Sequence, residues 1–121
     1  MIVAGFGFSK SADVASLAAA LRATGASGVT HFATVEEKAE SAALKDLAET
    51  MGLVIQPIVA DALPSASVET QSERSKRIFG TGSLSEAVAL LGAGRNARLV
   101  VARVISPDRQ STCAIAEGEG I

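Results

Sequence analysis

A nearly continuous apolar run, Ile2-Val3-Ala4-Gly5-Phe6, begins the chain and passes at once into Gly5-Phe6-Gly7 and a helical pattern. An alternating strand can keep one face in water, whereas an unbroken apolar one must be covered on both. Ile2 to Phe6 therefore reads as a buried central strand, ended by its two glycines. Ser9 or Ser11 is placed to cap the helix that follows, with Asp13 near its positive end and Val14, Leu17, Ala18 and Leu21 along its buried face. Gly25 and Gly28 stop it. Strand, glycine turn and helix make the first half of a βαβ unit.

The rest of the chain continues the alternation. Val29 to Ala33 reads as a second strand. Thr34-Val35-Glu36-Glu37 has capping-box spacing and starts one short turn. Ser41 begins a longer helix faced by Leu44, Leu47, Ala48 and Met51 and stopped by Gly52. Leu53 to Val59 is a third strand, and Pro57 puts it at an edge or a bulge. Asp61 to Ser67 is turn-rich. Gln71 to Phe79 is a mixed-charge segment, read as a short helix or a mobile loop. Ser83 and Glu86 form a second capping box ahead of Leu84, Ala87, Val88 and Leu91, with Gly92 and Gly94 closing that helix. Arg98 to Ser106 and Thr112 to Ala116 read as an antiparallel hairpin about Pro107-Asp108-Arg109-Gln110. Glu117 to Ile121 reads as a flexible tail. These elements predict one α/β domain over residues 1–121: three layers, α/β/α, around a mixed five-stranded sheet that ends in the hairpin.

Composition supports layered packing and narrows the function. The chain has 121 residues, no Trp or Tyr and four Phe, so Ala, Val, Leu and Ile must build the core. A formal net charge of −2 and scarce aromatics argue against nucleic-acid binding. The single cysteine, Cys113, allows no internal disulfide and reads as a small buried residue. One histidine, His31, makes a metal site of ordinary type improbable, so no metal and no cofactor are expected. No apolar run nears the roughly 18 residues that span a bilayer, and the N-terminus lacks signal-peptide character. A cytoplasmic protein is expected, with no membrane or nucleic-acid partner.

Chemistry concentrates at two glycine turns and one basic segment. Gly80-Thr81-Gly82-Ser83 feeds a helix start whose first N–H groups suit a carboxylate or phosphate, although local physics alone favours a well-capped helix packed closely on a sheet. Gly5-x-Gly7 lacks the third glycine of a dinucleotide fingerprint, since Lys10 stands at that position. Arg74, Lys76 and Arg77 form the only basic cluster, just ahead of Gly80. Taken alone, these residues also fit an unrelated small α/β domain that binds a phosphate metabolite.

Gly5-x-Gly7 after the first strand, Lys38-x-Glu40 after the second, and Gly80-Thr81-Gly82-Ser83-Leu84-Ser85-Glu86-Ala87 before Thr112-Cys113-Ala114-Ile115-Ala116 resemble, in order and spacing, the CobE/CbiG C-terminal family of cobalamin biosynthesis. The resemblance spans nearly the whole chain. It implies a protein of corrin-ring construction that binds a carboxylated precorrin or corrinoid, as carrier, chaperone or accessory factor to other enzymes of the aerobic pathway. The alternative it implies is a hydrolase that opens a cobalt-precorrin lactone and releases a two-carbon aldehyde; Glu40 or Glu86 would then serve as general base for water, with Glu40 the catalytic candidate. Precorrins are fringed with acetate and propionate groups. Gly5, Gly7, Ser9, Lys10, Lys38, Arg74, Arg77, Gly80, Thr81, Gly82 and Ser83 are accordingly expected to bind substrate at its carboxylate rim. Glu86 is expected mainly to hold its turn.

Overall fold

The computed structural model describes residues 1–120. Among them the order is β1 (Ile2–Phe8), α1 (Val14–Ala23), β2 (His31–Val35), a 3-10 turn (Glu36–Lys38), α2 (Ala42–Met51), β3 (Val54–Ile58), a second 3-10 segment (Ala60–Ser65), α3 (Glu73–Phe79), α4 (Leu84–Ala93), β4 (Arg98–Ile105) and β5 (Ser111–Glu117). The sheet order is β3-β2-β1-β5-β4, parallel from β3 to β1 and antiparallel thereafter. The mixed five-stranded sheet, its central first strand and the terminal hairpin match the sequence-based fold, and Pro57 does lie on an edge strand.

Several local expectations are corrected. Gly5-Phe6-Gly7 does not end β1: β5 pairs with it from Ile2↔Glu117 to Phe8↔Ser111, which carries the strand two residues further. The cap of α1 is consequently neither Ser9 nor Ser11 but Asp13, whose carboxylate accepts from Ser16 N at 2.8 Å. The proposed capping box at Thr34 is absent, because Thr34 Oγ1 is buried and donates to Phe6 O at 2.9 Å. The segment Gln71–Phe79 is helical in its second part, capped by Ser72 and ended by Gly80 at φ 72°. Nor is the C-terminus a loose tail as far as it is described. Glu117 belongs to β5, Gly118 N donates to Met1 O, Glu119 N to Arg95 O and Gly120 N to Ala93 O. Ile121 lies outside the described residues.

Strand alternation sorts the core into two layers. Ala4, Phe6, Phe32, Cys113 and Ile115 pack with Leu17, Leu44 and Leu47 of α1 and α2. Phe6 and Phe32 meet edge to face at 4.9 Å, a contact of about 0.5–1.5 kcal/mol beyond its buried area. Val3, Ala33 and Ala116 point the other way, against Ala87, Val88 and Ala89 of α4 and Leu63. Here helix and sheet approach very closely. A Cβ on Gly5 would lie 2.2 Å from Ser85 O and 2.6 Å from Ala89 N, so only glycine admits α4 at this distance. Gly5 is thus a packing residue beneath α4.

Candidate ligand-binding cleft

The carboxyl ends of β1 and β2 and the hairpin turn between β4 and β5 meet at one edge of the sheet, beside the point where the chain reverses its direction of strand addition. Ligands on sheets of this kind gather at such a place. A cleft of about 440 Å³ lies there, walled by Gly7, Phe8, Ser9, Glu37, Lys38, residues 72, 74, 75, 78 and 79 on or just before α3, and residues 109–112 of the hairpin. An adjoining hollow of about 380 Å³ shares Phe8, Ser9, Glu37 and Lys38 with it and adds Lys10 and Ser41.

Five cations converge on these two connected spaces: Lys10, Lys38, Arg74, Arg103 and Arg109. Among the described residues none of them is in an ion pair, and Glu37 is the one acidic residue on the walls. Lys38 is half-buried between rings, 5.2 Å from the Phe8 centroid and 6.0 Å from that of Phe79, and donates to Phe8 O at 2.7 Å. Burial holds its pKa below the usual lysine value and Lys10 pushes the same way, while Glu37 opposes both. The floor is apolar. Phe8, Phe79 and Leu84 supply it, together with Ile78, which is 58% exposed. Ser75 Oγ is shielded from solvent and has no hydrogen-bond partner among the described residues.

The residues singled out from the sequence divide clearly. Gly7, Ser9, Lys10, Lys38 and Arg74 are brought together here. Ser9 Oγ donates to Gln110 Oε1 at 2.6 Å, tying the end of β1 to the hairpin. Arg77 is exposed but absent from the cleft walls, and Lys76 pairs instead with Glu73. Gly5 lies under α4.

Gly80 is the left-handed end of α3, and Thr81, Gly82 and Ser83 are buried in the fold. The turn that leads into α4 is engaged within the fold. Ser83 Oγ accepts from Glu86 N, Gly82 O accepts from Ser72 N, and a Cβ on Gly82 would lie 2.4 Å from Thr70 O. Thr81, Gly82 and Ser83 are thus packed into the fold and off the cleft walls, which Leu84 alone of this helix start borders. Nor does the second half of the capping box form, since Glu86 turns its carboxylate away from Ser83 N. Fully buried, it accepts from Glu69 N (2.7 Å), Thr70 N (3.0 Å), Thr70 Oγ1 (2.5 Å) and Arg103 N (2.9 Å). Burial alone would raise its pKa, but the four donors together bring it below the ordinary carboxylate value.

Glu40 sits elsewhere. Its side chain is 81% exposed, bonded to Lys45 Nζ, and borders a different hollow along the β3 edge. That bond and the lysine charge lower its pKa, whereas a general base activating water needs the opposite shift. Arg103 and Arg109 were not singled out from the sequence, and the pairing of β5 with β1 is what brings their hairpin to the cleft.

The profile of the family described as "Cobalamin synthesis G C-terminus" matches residues 2–116. The cobalamin biosynthesis protein chiG from Agrobacterium tumefaciens str. C58 is 30% identical, with a TM-score of 0.72 over 98% of this chain and 99% of that one. CobE, a protein from the cobalamin (vitamin B12) biosynthetic pathway, shares the fold with a TM-score of 0.85 at 22% identity, over 100% of this chain and 92% of that one. A homolog of cobalamin biosynthesis protein G from Sulfolobus solfataricus shares it too, with a TM-score of 0.73 at 18% identity, over 98% of this chain and 37% of that one. No curated protein sequence shows a significant match. With the family profile covering nearly all of it, the chain belongs to the CobE/CbiG-like family of cobalamin biosynthesis proteins.

Proposed function

We propose that this chain binds a carboxylated precorrin in the cationic cleft and serves in the cytoplasm as a carrier or accessory factor to other enzymes of the aerobic cobalamin pathway. One observation carries the reading: five cations, none in an ion pair among the described residues, surround an apolar floor in a chain whose net charge is −2. A precorrin has the matching character, a largely apolar macrocycle with carboxylates around its rim. Arginine forks bind such carboxylates bidentately, and Lys10 and Lys38 add point charges. The cleft is open and modest in volume, so it would grip one edge of the ring while Phe8, Ile78 and Phe79 meet its apolar surface. Nothing in this arrangement requires a nucleophile.

The test is a visible-spectrum titration at low salt with cobyrinic acid, whose rim carboxylates are free, beside cobinamide, in which they are amides. The proposal expects saturable binding of cobyrinic acid, weaker binding of cobinamide, and loss of the difference at high salt. Equal binding of the two, or none of cobyrinic acid at tens of micromolar, refutes it. Incubation with a lactone-bearing cobalt-precorrin decides the hydrolytic alternative: aldehyde release that is lost in Glu40→Gln favours the enzyme over the carrier.

A further inference from the structure

The hairpin turn at the cleft contains a residue in an unfavourable conformation. Arg109 has φ 62°, in the left-handed region where a side-chain-bearing residue is strained and where glycine is the usual choice after a tight hairpin turn. Its N–H donates to Ser106 O at 2.9 Å, closing the turn over Pro107 and Asp108. Neighbouring elements hold it there. Asp108 Oδ1 accepts from Ser16 Oγ of α1 at 2.9 Å, from Ser106 Oγ at 2.5 Å and from Gln110 N at 3.1 Å. Ser111 N donates to Ser106 Oγ at 3.0 Å, and Ser16 and Ser111 hydroxyls lie 2.7 Å apart. Ser9 N donates to Gln110 O at 2.9 Å.

Helix α1, the end of β1 and both arms of the hairpin thus lock the turn while a strained arginine stands at its tip. Strain of this kind persists only where the surroundings over-determine it, and it gathers at ligand clamps. Packing does not account for the choice of arginine here. Its side chain is exposed, forms no ion pair among the described residues, and lies on the cleft wall with Arg74. Lys38 differs, because its ammonium is already engaged by Phe8 O.

We propose that Arg109 is the specificity-determining anchor of the cleft: a guanidinium presented on a locked turn, which takes one peripheral carboxylate of the ligand bidentately and so fixes which edge of the ring enters. The inference rests on the carboxylated-ligand reading of the cleft. A locked turn favours selectivity because little loop freedom is left to lose on binding. It also implies a trade of stability for recognition at this one position.

Arg109→Gly separates the two. It removes the guanidinium and accepts the left-handed backbone without strain, so it melts at or above the wild-type temperature. Its affinity for cobyrinic acid falls by about tenfold or more, the scale of one charged bidentate contact. Its affinity for cobinamide barely changes, so the preference between the two probes collapses. Arg109→Lys, which keeps charge without the planar fork, recovers part of the affinity. Binding of cobyrinic acid by R109G within about twofold of wild type overturns the anchor and leaves the function reading standing. A lowered melting temperature in R109G overturns it as well, since the arginine would then be holding the turn. Absence of binding by the wild-type chain fails the function reading itself, and the anchor with it.

Discussion

Glu86→Gln is a nearly isosteric change whose consequence can be worked out atom by atom. The wild-type carboxylate, fully buried, accepts four hydrogen bonds, two on each oxygen. An amide has only one oxygen. In its best orientation that oxygen keeps Glu69 N and Thr70 N, and the new NH2 turns toward Thr70 Oγ1, which can rotate to accept. Arg103 N–H then faces a donor and is left orphaned. One buried unsatisfied donor costs about 1–3 kcal/mol, and the surviving bonds lose the extra strength of a charged acceptor, of order 1 kcal/mol. Relief from burying a charge offsets part of this, so a net loss of about 1–3 kcal/mol is expected. For a domain of this size that lowers the melting temperature by roughly 10 °C.

Thermal and urea unfolding followed by circular dichroism measures it, and pH supplies an internal check. The folded pKa of Glu86 is depressed, so its contribution is fully present above the unfolded carboxyl value, about 4.3, and is lost as pH falls through the folded one. The gap between wild type and E86Q should therefore be widest at neutral pH and narrow below about pH 4. A gap under about 0.5 kcal/mol at pH 7, or one that does not change with pH, would refute the hydrogen-bond argument.

The remaining predictions concern packing and the cleft. Gly5→Ala puts a methyl 2.2 Å from Ser85 O and should destabilise by about 3 kcal/mol or more, read by the same unfolding curves. Arg74→Ala should weaken cobyrinic acid binding severalfold and Arg77→Ala leave it unchanged, because only Arg74 is on the cleft walls; equal effects would point to a diffuse field. Lys38 should confer a loss of binding at alkaline pH that begins below the usual lysine range, since burial lowers its pKa and the protonated form favours the anion. Lys38→Met should bind more weakly at neutral pH and lack that alkaline fall, which titrations across pH would detect.

What was legible in the sequence follows from the range of each interaction. Caps at Ser41 and Ser83, the central first strand, the edge position of Pro57 and the hairpin all rest on local pattern, and all appear. The family-level resemblance was legible too, carried by the order of the glycine turns. The misreadings arise where a side chain reaches across the fold. Thr34 and Glu86 have capping spacing, yet Thr34 bonds Phe6 O, 28 residues away, and Glu86 bonds residues 16 and 17 positions distant. Arg103 and Arg109 become cleft residues only through the Phe8↔Ser111 register, which no local signal encodes. Gly5 is a glycine because of Ser85 and Ala89, far along the chain.

The central claim is that the cleft at the ends of β1 and β2 receives the carboxylate rim of a corrin precursor. Backbone amide chemical-shift mapping by NMR, with cobyrinic acid titrated into the uniformly nitrogen-15-labelled chain, tests it most directly. The account predicts saturable shifts concentrated at Gly7–Lys10, Glu37–Lys38, Ser72–Phe79 and Arg109–Thr112, with the buried start of α4 at Gly82 and Ser83 little affected. Shifts centred on Glu40 and Lys45 along the β3 edge, or scattered over the surface without saturation, would contradict it.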